Sequence, residues 1–190
     1  MVDGHPRRRS ERTGDAVTTT TIFETCTPRQ DILDGSMALG DFAARLGSVL
    51  SRSGPADYVD PARFFANTYP TGGLRELLTQ VLGRLSGQSG SSAVFRLDTS
   101  FGGGKTHGLI GLVHAARDGA AVPNLGEFAG GVAVPAGVRV AAFDGEASDP
   151  SNGRSIGDGI RAFTPWGEIA YQVGGLAGYE LVRRSDEMRR

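Results

Sequence analysis

The chain of 190 residues carries 20 basic and 21 acidic side chains, a balance that excludes a global field drawing it onto nucleic acid or an anionic membrane. Its single cysteine, Cys26, excludes an internal disulfide framework and a cysteine-based zinc site. No apolar run approaches the roughly 18 residues of a membrane span, and residues 1–24 lack the pattern of a secretory signal. We therefore expect a cytoplasmic protein that makes no membrane contact and begins with a disordered leader over residues 1–24.

A helical N-terminal segment is predicted for residues 25–88. Just before it, the threonine-rich residues 17–23 fit either a short strand or a loose tract. Apolar side chains recur at spacings of three and four over residues 37–52 and again over residues 74–85, which predicts two amphipathic helices. The second stripe is the clearer one, and a glycine- and serine-rich linker follows it.

A short helix is predicted between these two stripes. Asp60 followed by Pro61 has the pattern of an N-cap residue with proline at the first helical position. The helix carries Phe64 and Phe65, and we expect both rings to lie in the core together with Tyr69. The alternative is that part of this aromatic trio lines a pocket for adenine.

The remaining residues, 89–190, are predicted to form an α/β domain with a P-loop NTPase-like three-layer core. A β-prone run at residues 93–97 precedes a glycine-rich loop, and apolar side chains at helical spacing over residues 109–116 follow it. A second strand is predicted at residues 138–143. Because a doubly wound parallel sheet needs about five strands, we expect this core to be incomplete.

The C-terminal part of this domain is predicted as a loop followed by two helices. Residues 148–161 are rich in glycine, aspartate and serine, which indicates a loop. Thr164 before Pro165 has the N-cap pattern and predicts a helix that reaches Gly174. A last short helix is predicted over residues 176–184.

The stretch Gly102-Gly103-Gly104-Lys105-Thr106 has the chemistry of a phosphate-binding loop. Glycines let successive backbone N–H groups approach phosphate oxygens at the positive end of a helix. Lys105 would reach the β- and γ-phosphates of ATP, and the hydroxyl of Thr106 would bind Mg²⁺. The alternative is a glycine-rich turn that only joins a strand to a helix.

Two features of the sequence bear on that alternative. In the pattern G-x-x-x-x-G-K-[ST] the first glycine falls on Thr99, so the match is imperfect. Lys105, however, is the only lysine in the chain. A compact ammonium fits a small phosphate-lined loop, whereas a planar guanidinium is too wide and too forked for it. The sequence therefore favours nucleotide binding through a variant Walker A loop.

Acidic residues follow the second predicted strand. Asp144 is a candidate ligand of Mg²⁺ or a group that orients water. Gly145 separates it from Glu146, whereas many motor ATPases place the two acids side by side. Turn formation or capping is the commoner explanation for such acids, and Asp144 stays a candidate metal ligand only.

Several stretches together resemble a known family. They are Asp60 to Arg75, Leu97 to His107, Ala142 to Glu146 and Thr164 to Tyr171. These stretches are similar to large bacterial P-loop ATPases that are classed under domain of unknown function number four-nine-nine. The similarity runs over about residues 25–186.

The resemblance implies a function and a set of site residues. In that family the F-G-G-G-K-T-H form is itself the nucleotide loop, which implies that Gly102, Gly103, Gly104, Lys105 and Thr106 contact ATP. Family members are often encoded beside DNA methylases in phage-defence clusters, which implies DNA or DNA-modification proteins as partners. Family proteins are several times longer, so this chain is expected to be an N-terminal portion that ends before Walker B and binds ATP without hydrolysing it efficiently.

Two other functions stay open at this point. One is a complete small-molecule phosphotransferase in which Asp144 acts as metal ligand or base. The other is a non-catalytic interaction fragment whose glycine-rich loop binds nothing. The sequence does not indicate an oligomeric state.

Overall fold

In the structure, a computed structural model, the described residues are 21–35, 44–88, 90–98, 100, 102–145, 148–149 and 151–190. The chain divides into two compact units, Met1–Gly40 and Asp41–Arg190. Each unit is described by itself. The predicted boundaries after residues 24 and 88 stay predictions.

The first unit contains two single-turn helices, α1 (Ile22–Thr25) and α2 (Gln30–Leu33). The backbone N–H of Thr21 donates to Oε2 of Glu24 (2.7 Å), as in the capping arrangement of a helix start. The strand considered for residues 17–23 is therefore wrong at its C-terminal end, because this cap selects a helical turn. Residues 1–20, which make up most of the predicted leader, lie outside the described residues.

Helices dominate the second unit. Their bounds are α3 Leu46–Leu50, α4 Ala56–Val59, α5 Pro61–Ala66, α6 Gly72–Leu85, α7 Lys105–Asp118, α8 Leu125–Ala129, α9 Pro165–Glu180 and α10 Arg183–Glu187. A 3₁₀ turn, Gly119–Ala121, follows α7. An antiparallel hairpin of β1 (Arg154–Gly157) and β2 (Ile160–Ala162) precedes α9.

The helices that the sequence predicted from cap residues begin where it placed them. In each, the side-chain oxygen of the cap accepts a hydrogen bond from the backbone N–H three residues later: Asp60 from Arg63 (2.9 Å) and Thr164 from Gly167 (3.2 Å). Thr71, which the sequence did not indicate as a cap, accepts from Leu74 in the same way (3.3 Å) at the start of α6. These bonds satisfy helix N–H groups that have no partner within the helix.

Three helix predictions differ clearly from the structure in extent. Of the helix predicted over residues 37–52, residues 37–43 lie outside the described residues, and α3 ends before Ser51. Helix α9 does not stop at Gly174 but continues to Glu180 through Gly175, whose φ of 61° and ψ of −152° make a kink. Glycine tolerates that conformation because it has no Cβ. The prediction of a separate last helix over residues 176–184 is wrong, because α9 takes its first part and α10 begins only at Arg183.

The strands predicted at residues 93–97 and 138–143 are wrong for the described part of the chain, where neither run forms a ladder. A β-prone run becomes a strand only when another strand pairs with it. At Ala142 a side chain takes that place: Ala142 N–H donates to Oε1 of Gln172, and Nε2 of Gln172 donates to the Ala142 carbonyl, both at 2.9 Å.

The hairpin β1–β2 lies in residues that were predicted as loop. Its two-residue connection, Asp158-Gly159, has positive φ at both positions (49° and 72°). This is the turn that matches the twist of two antiparallel strands, and Asp-Gly is one of its preferred sequences. The glycine-rich composition of residues 148–161 therefore marks a hairpin, and the Asp-Gly pair was the signal for it.

The apolar core of the second unit lies among α3, α5, α6, α7 and α8. Its most deeply buried large side chains are Phe64, Phe65, Leu78, Leu82, Ile110 and Phe128. Residues on both sides of position 88 contribute to it. The described chain thus combines helices with one small sheet, which fits the α/β class in its broad sense, and the three-layer P-loop core stays a prediction.

Candidate functional site

The glycine-rich loop enters α7 in a conformation that glycine adopts most easily. Gly102 and Gly104 have φ of 78° and 76°, in the left-handed region where other residues are strained. The N–H of Gly103 donates to the carbonyl of Ser100 (3.1 Å), which tightens the turn. Thr99, the position of the missing first glycine, lies outside the described residues.

Lys105 and Thr106 occupy the first two positions of α7, with Gly104 as the N-cap. The N–H groups of a first helical turn point out of the helix end and carry its positive partial charge. The ammonium of Lys105 donates to the Ser100 carbonyl (3.1 Å), so this exposed side chain folds back across the loop. The loop, the helix end and the cation therefore face the same space.

A cleft of about 530 Å³ opens beside this loop. Its walls come from the three loop glycines, the start of α7, the segment between α5 and α6, and apolar side chains of Leu74, Leu77 and Leu97. Lys105 lines the cleft, whereas Thr106 is exposed and does not contribute to its lining. The volume is within the range of small-molecule sites.

The segment between α5 and α6 is bound to α7 through Thr68 and His107. The hydroxyl of Thr68 lies 2.6 Å from the Phe64 carbonyl and 3.0 Å from Nε2 of His107. The Thr68 hydroxyl has one proton, and it donates this proton in the hydrogen bond to the Phe64 carbonyl. Nε2 of His107 must therefore carry a proton and donate to the hydroxyl oxygen of Thr68. Burial lowers the pKa of His107, which favours the neutral ring with this tautomer.

The aromatic residues of this region divide between core and cleft. Phe64 and Phe65 are buried, as predicted, and the ring of Phe64 lies 4.5 Å from that of His107. Tyr69 is 81% exposed, so the expectation that it joins the core is wrong. It lines the cleft instead, because the chain turns away from the core after α5. The pocket-lining alternative therefore fits Tyr69 alone.

Asp144 lies in the wall of a second cavity, of about 420 Å³. There the carboxylate of Glu168, only 4% exposed, pairs with Arg154 (3.0 Å) and accepts from the Gln172 amide (3.3 Å). Burial raises the pKa of Glu168; the guanidinium of Arg154 opposes this rise and the Asp144 charge adds to it. Its lining combines these charged and polar groups with apolar side chains such as that of Leu50.

The structure thus brings some predicted site residues together and separates others. Gly102, Gly103, Gly104 and Lys105 line one cleft with Thr106 beside it. Asp144 does not join them, because the cleft and the second cavity share no lining residue. Glu146 lies outside the described residues.

Glu168 and Gln172 were missed as members of a site. The sequence offered one signal for them, which is their spacing of four residues within a predicted helix, since this spacing puts two side chains on one face. Burial of the pair depends on contacts with the hairpin and with Ala142, which the sequence did not reveal.

The described residues contain no metal-binding group built from three or more His, Cys, Asp or Glu side chains. No helix in the described part of the chain has both the length and the apolar character needed to cross a membrane.

The profile of one protein family matches residues 22–190, and it is described as the DUF499 N-terminal domain. No curated protein and no solved structure matches the chain. The matched residues include the glycine-rich loop, the cleft beside it and the second cavity. The chain therefore belongs to the DUF499 family, and its residues 22–190 correspond to that family's N-terminal domain.

Proposed function

We propose that this chain binds ATP together with Mg²⁺ at its glycine-rich loop, which acts as a variant Walker A loop. One observation carries the proposal. Gly102 and Gly104 are in the left-handed conformation directly before a 14-residue helix whose first two residues are Lys105 and Thr106, and a cleft opens at that point. The glycine-rich backbone, the helix N-terminus, the lysine and the cleft are each suited to binding a triphosphate, and they occur together at one position.

The phosphates would lie at the N-terminus of α7. Backbone N–H groups of the loop and the first turn donate to phosphate oxygens, where the helix dipole favours negative charge. The Lys105 ammonium exchanges its contact with the Ser100 carbonyl (3.1 Å) for a charged phosphate oxygen, and such charge-assisted hydrogen bonds are the stronger kind. Thr106 then supplies one hydroxyl to Mg²⁺, which keeps several waters and phosphate oxygens as its other ligands.

Asp144 has no part in this proposal. It lines the second cavity, which has no lining residue in common with the cleft. A phosphotransferase that uses Asp144 as metal ligand or base would need it beside the transferred phosphate. No observation favours that alternative, and ATP binding is the better supported function.

The resemblance to phage-defence ATPases extends the proposal to the protein's setting. We propose that the ATP bound here serves an ATPase that acts with DNA or DNA-modification proteins, in the cytoplasm. This chain by itself is expected to bind ATP without turning it over efficiently. Catalysis of phosphoryl transfer requires further charged groups around the γ-phosphate, and the cleft lining supplies Lys105 as its cation.

Titration of the chain with a fluorescent ATP analogue and Mg²⁺ tests the proposal. Lys105→Ala should weaken binding by at least about tenfold, because it removes a charge-assisted contact to phosphate. Lys105→Arg should also bind weakly, since a guanidinium does not fit the loop as an ammonium does. The matched control is Arg184→Ala, which removes one positive charge from an exposed position of α10 and should leave the affinity unchanged. Equal affinity of Lys105→Ala and the wild type would show that the loop is only a turn.

A further inference from the structure

We propose that residues 67–71, which join α5 to α6, form the wall of the cleft that receives the nucleobase. In this arrangement Tyr69 is the surface on which the base stacks, and Asn67 selects adenine. The inference rests on the proposed function, because it places the base of the same nucleotide whose phosphates lie at Lys105.

Tyr69 has the exposure and the position of a stacking surface. Its side chain is 81% exposed although it follows the two buried rings of Phe64 and Phe65 closely in sequence. It lines the same cleft as the loop glycines and Lys105. Among the described residues no other ring lies against it. Stacking of a base on an exposed aromatic face beside a phosphate-binding cleft stabilises the complex.

The wall that carries Tyr69 is held in place before any ligand binds. The neighbouring Thr68 is fixed between the Phe64 carbonyl and His107, the third residue of α7. The carbonyl of Tyr69 itself accepts from the N–H of Thr71 (2.9 Å), which closes the turn. One helix therefore anchors both the phosphate loop and the Tyr69 wall, and such preorganisation reduces the entropy that binding would cost.

Asn67 supplies the polar group for reading a base edge. It lies in the cleft wall, and its exposed amide makes no hydrogen bond to the described residues. A carboxamide presents one donor and one acceptor side by side. This pair matches adenine, which presents the N6 amino donor beside a ring-nitrogen acceptor. Guanine instead presents two neighbouring donors at N1 and N2, which would suit a carboxylate.

The rest of the cleft suits a base rather than a second charged group. Leu74, Leu77 and Leu97 give it an apolar surface, and the volume of about 530 Å³ is large enough for a base and its sugar beside the phosphates. Lys105 is the cation in the lining and lies at the loop end. The cleft lining thus combines loop glycines and a cation, which suit phosphates, with apolar side chains and an amide, which suit a base.

The stacking role is tested by comparing Mg-ATP with inorganic tripolyphosphate, which has no base. In the full 190-residue chain, Tyr69→Ala should weaken ATP binding about tenfold and leave tripolyphosphate binding unchanged, while Tyr69→Phe should bind both like the wild type. Trp166→Ala removes another exposed aromatic side chain, 65% exposed on α9, and should change neither. Equal effects of Tyr69→Ala on the two ligands, or no effect on either, would overturn the stacking role.

The selectivity role is tested with Asn67→Asp, which replaces the exposed carboxamide with a carboxylate of nearly the same size. The ratio of the ATP to GTP affinities should fall by about tenfold. A carboxylate accepts hydrogen bonds from N1 and N2 of guanine, but it has no donor for the ring nitrogen of adenine. An unchanged ratio would overturn the role of Asn67. If Lys105→Ala weakens tripolyphosphate and ATP binding while the Tyr69 and Asn67 variants do not differ from the wild type, the proposed function stands and this inference fails. If the wild type binds neither ligand, both fail.

Discussion

Two histidines of α7 pack on the same buried ring. The ring centroids of His107 and His114 lie 4.5 Å and 5.4 Å from that of Phe64. His114 is fully buried, and its Nε2 lies 2.7 Å from the Tyr58 carbonyl, so this nitrogen must donate. Its Nδ1 has no hydrogen-bond partner among the described residues, and the Asp118 carboxylate lies 3.9 Å away. At the scale of one residue, a polar ring serves here as part of the core.

The burial of His114 predicts a loss of stability at mildly acidic pH. Burial lowers its pKa from 6.5, although the hydrogen bond to Tyr58 and the charge of Asp118 oppose the shift. The unfolded chain therefore binds a proton at a higher pH than the folded chain does. The resulting stability is fully present above about pH 6.5 and is lost as the pH falls toward the lower pKa of the folded state.

Urea unfolding at about pH 7.5 and about pH 5.5 measures this loss. The wild type should have a lower free energy of unfolding at the acidic pH. His114→Gln keeps a donor for the Tyr58 carbonyl but does not titrate, so it should lose less between the two pH values. The same loss in both proteins would show that His114 does not carry the pH dependence.

At the scale of elements, Asp186 of α10 binds the residues that precede α9, Phe163 and Thr164, and so holds the start of that helix. The carboxylate of Asp186, on α10, is only 1% exposed. It accepts from the backbone N–H groups of Phe163 and Thr164 (3.1 Å and 2.8 Å), from the Thr164 hydroxyl (2.6 Å) and from the Tyr179 hydroxyl (3.1 Å). Burial together with this carboxylate raises the pKa of Tyr179 to about 12.

Removing this carboxylate should destabilise the C-terminal helices. Asp186→Ala leaves several buried donors without an acceptor, and we expect the free energy of unfolding to fall by at least about 2 kcal/mol. Gly167→Ala should also destabilise, because its Cβ would overlap the Asp186 carboxylate. Glu187→Ala, at the exposed neighbouring position, is the control and should change little. Thermal or urea unfolding followed by circular dichroism measures all three, and an unaffected Asp186→Ala would contradict the capping role.

The contrast between helices and strands shows what the sequence could reveal about these elements. The N-caps Asp60, Thr71 and Thr164 act on N–H groups three residues away, so a local pattern suffices to place the helix starts. The partner of a strand is distant in sequence, and at Ala142 it is a glutamine side chain of α9, which no local pattern indicates. For the same reason, no local pattern showed that Asp144 lies apart from the glycine-rich loop, because the two are distant in sequence. The loop and the first residues of α7 are contiguous in sequence, so a local pattern sufficed to identify them as one candidate site.

At the scale of the whole molecule, stability is expected to be uneven. Helices α6 and α7 pack on each other through buried side chains such as Leu78 and Ile110, so their backbone hydrogen bonds open only when the core does. Residues 93–97 have no ladder partner in the described chain, and Val94 is 81% exposed.

Hydrogen exchange followed by mass spectrometry measures this difference. Backbone amides of residues 93–97 should exchange more than about a hundredfold faster than those in the middle of α7. Amides of residues 136 and 137, in an exposed turn outside the helices and the hairpin, provide an internal reference for exposed backbone. Protection of residues 93–97 equal to that of α7 would show that the predicted strand is paired after all, and would support the three-layer core.

Lys105 carries the only side-chain amine in the chain, and this residue lines the cleft. Reagents that modify primary amines therefore attach at two places only, the amino terminus and this one loop. Such a label, located by mass spectrometry of the labelled peptide, reports the chemical accessibility of the loop without any mutation. A chain that otherwise uses arginine for its positive side chains thus carries, at one side chain, a natural probe of whatever occupies the cleft.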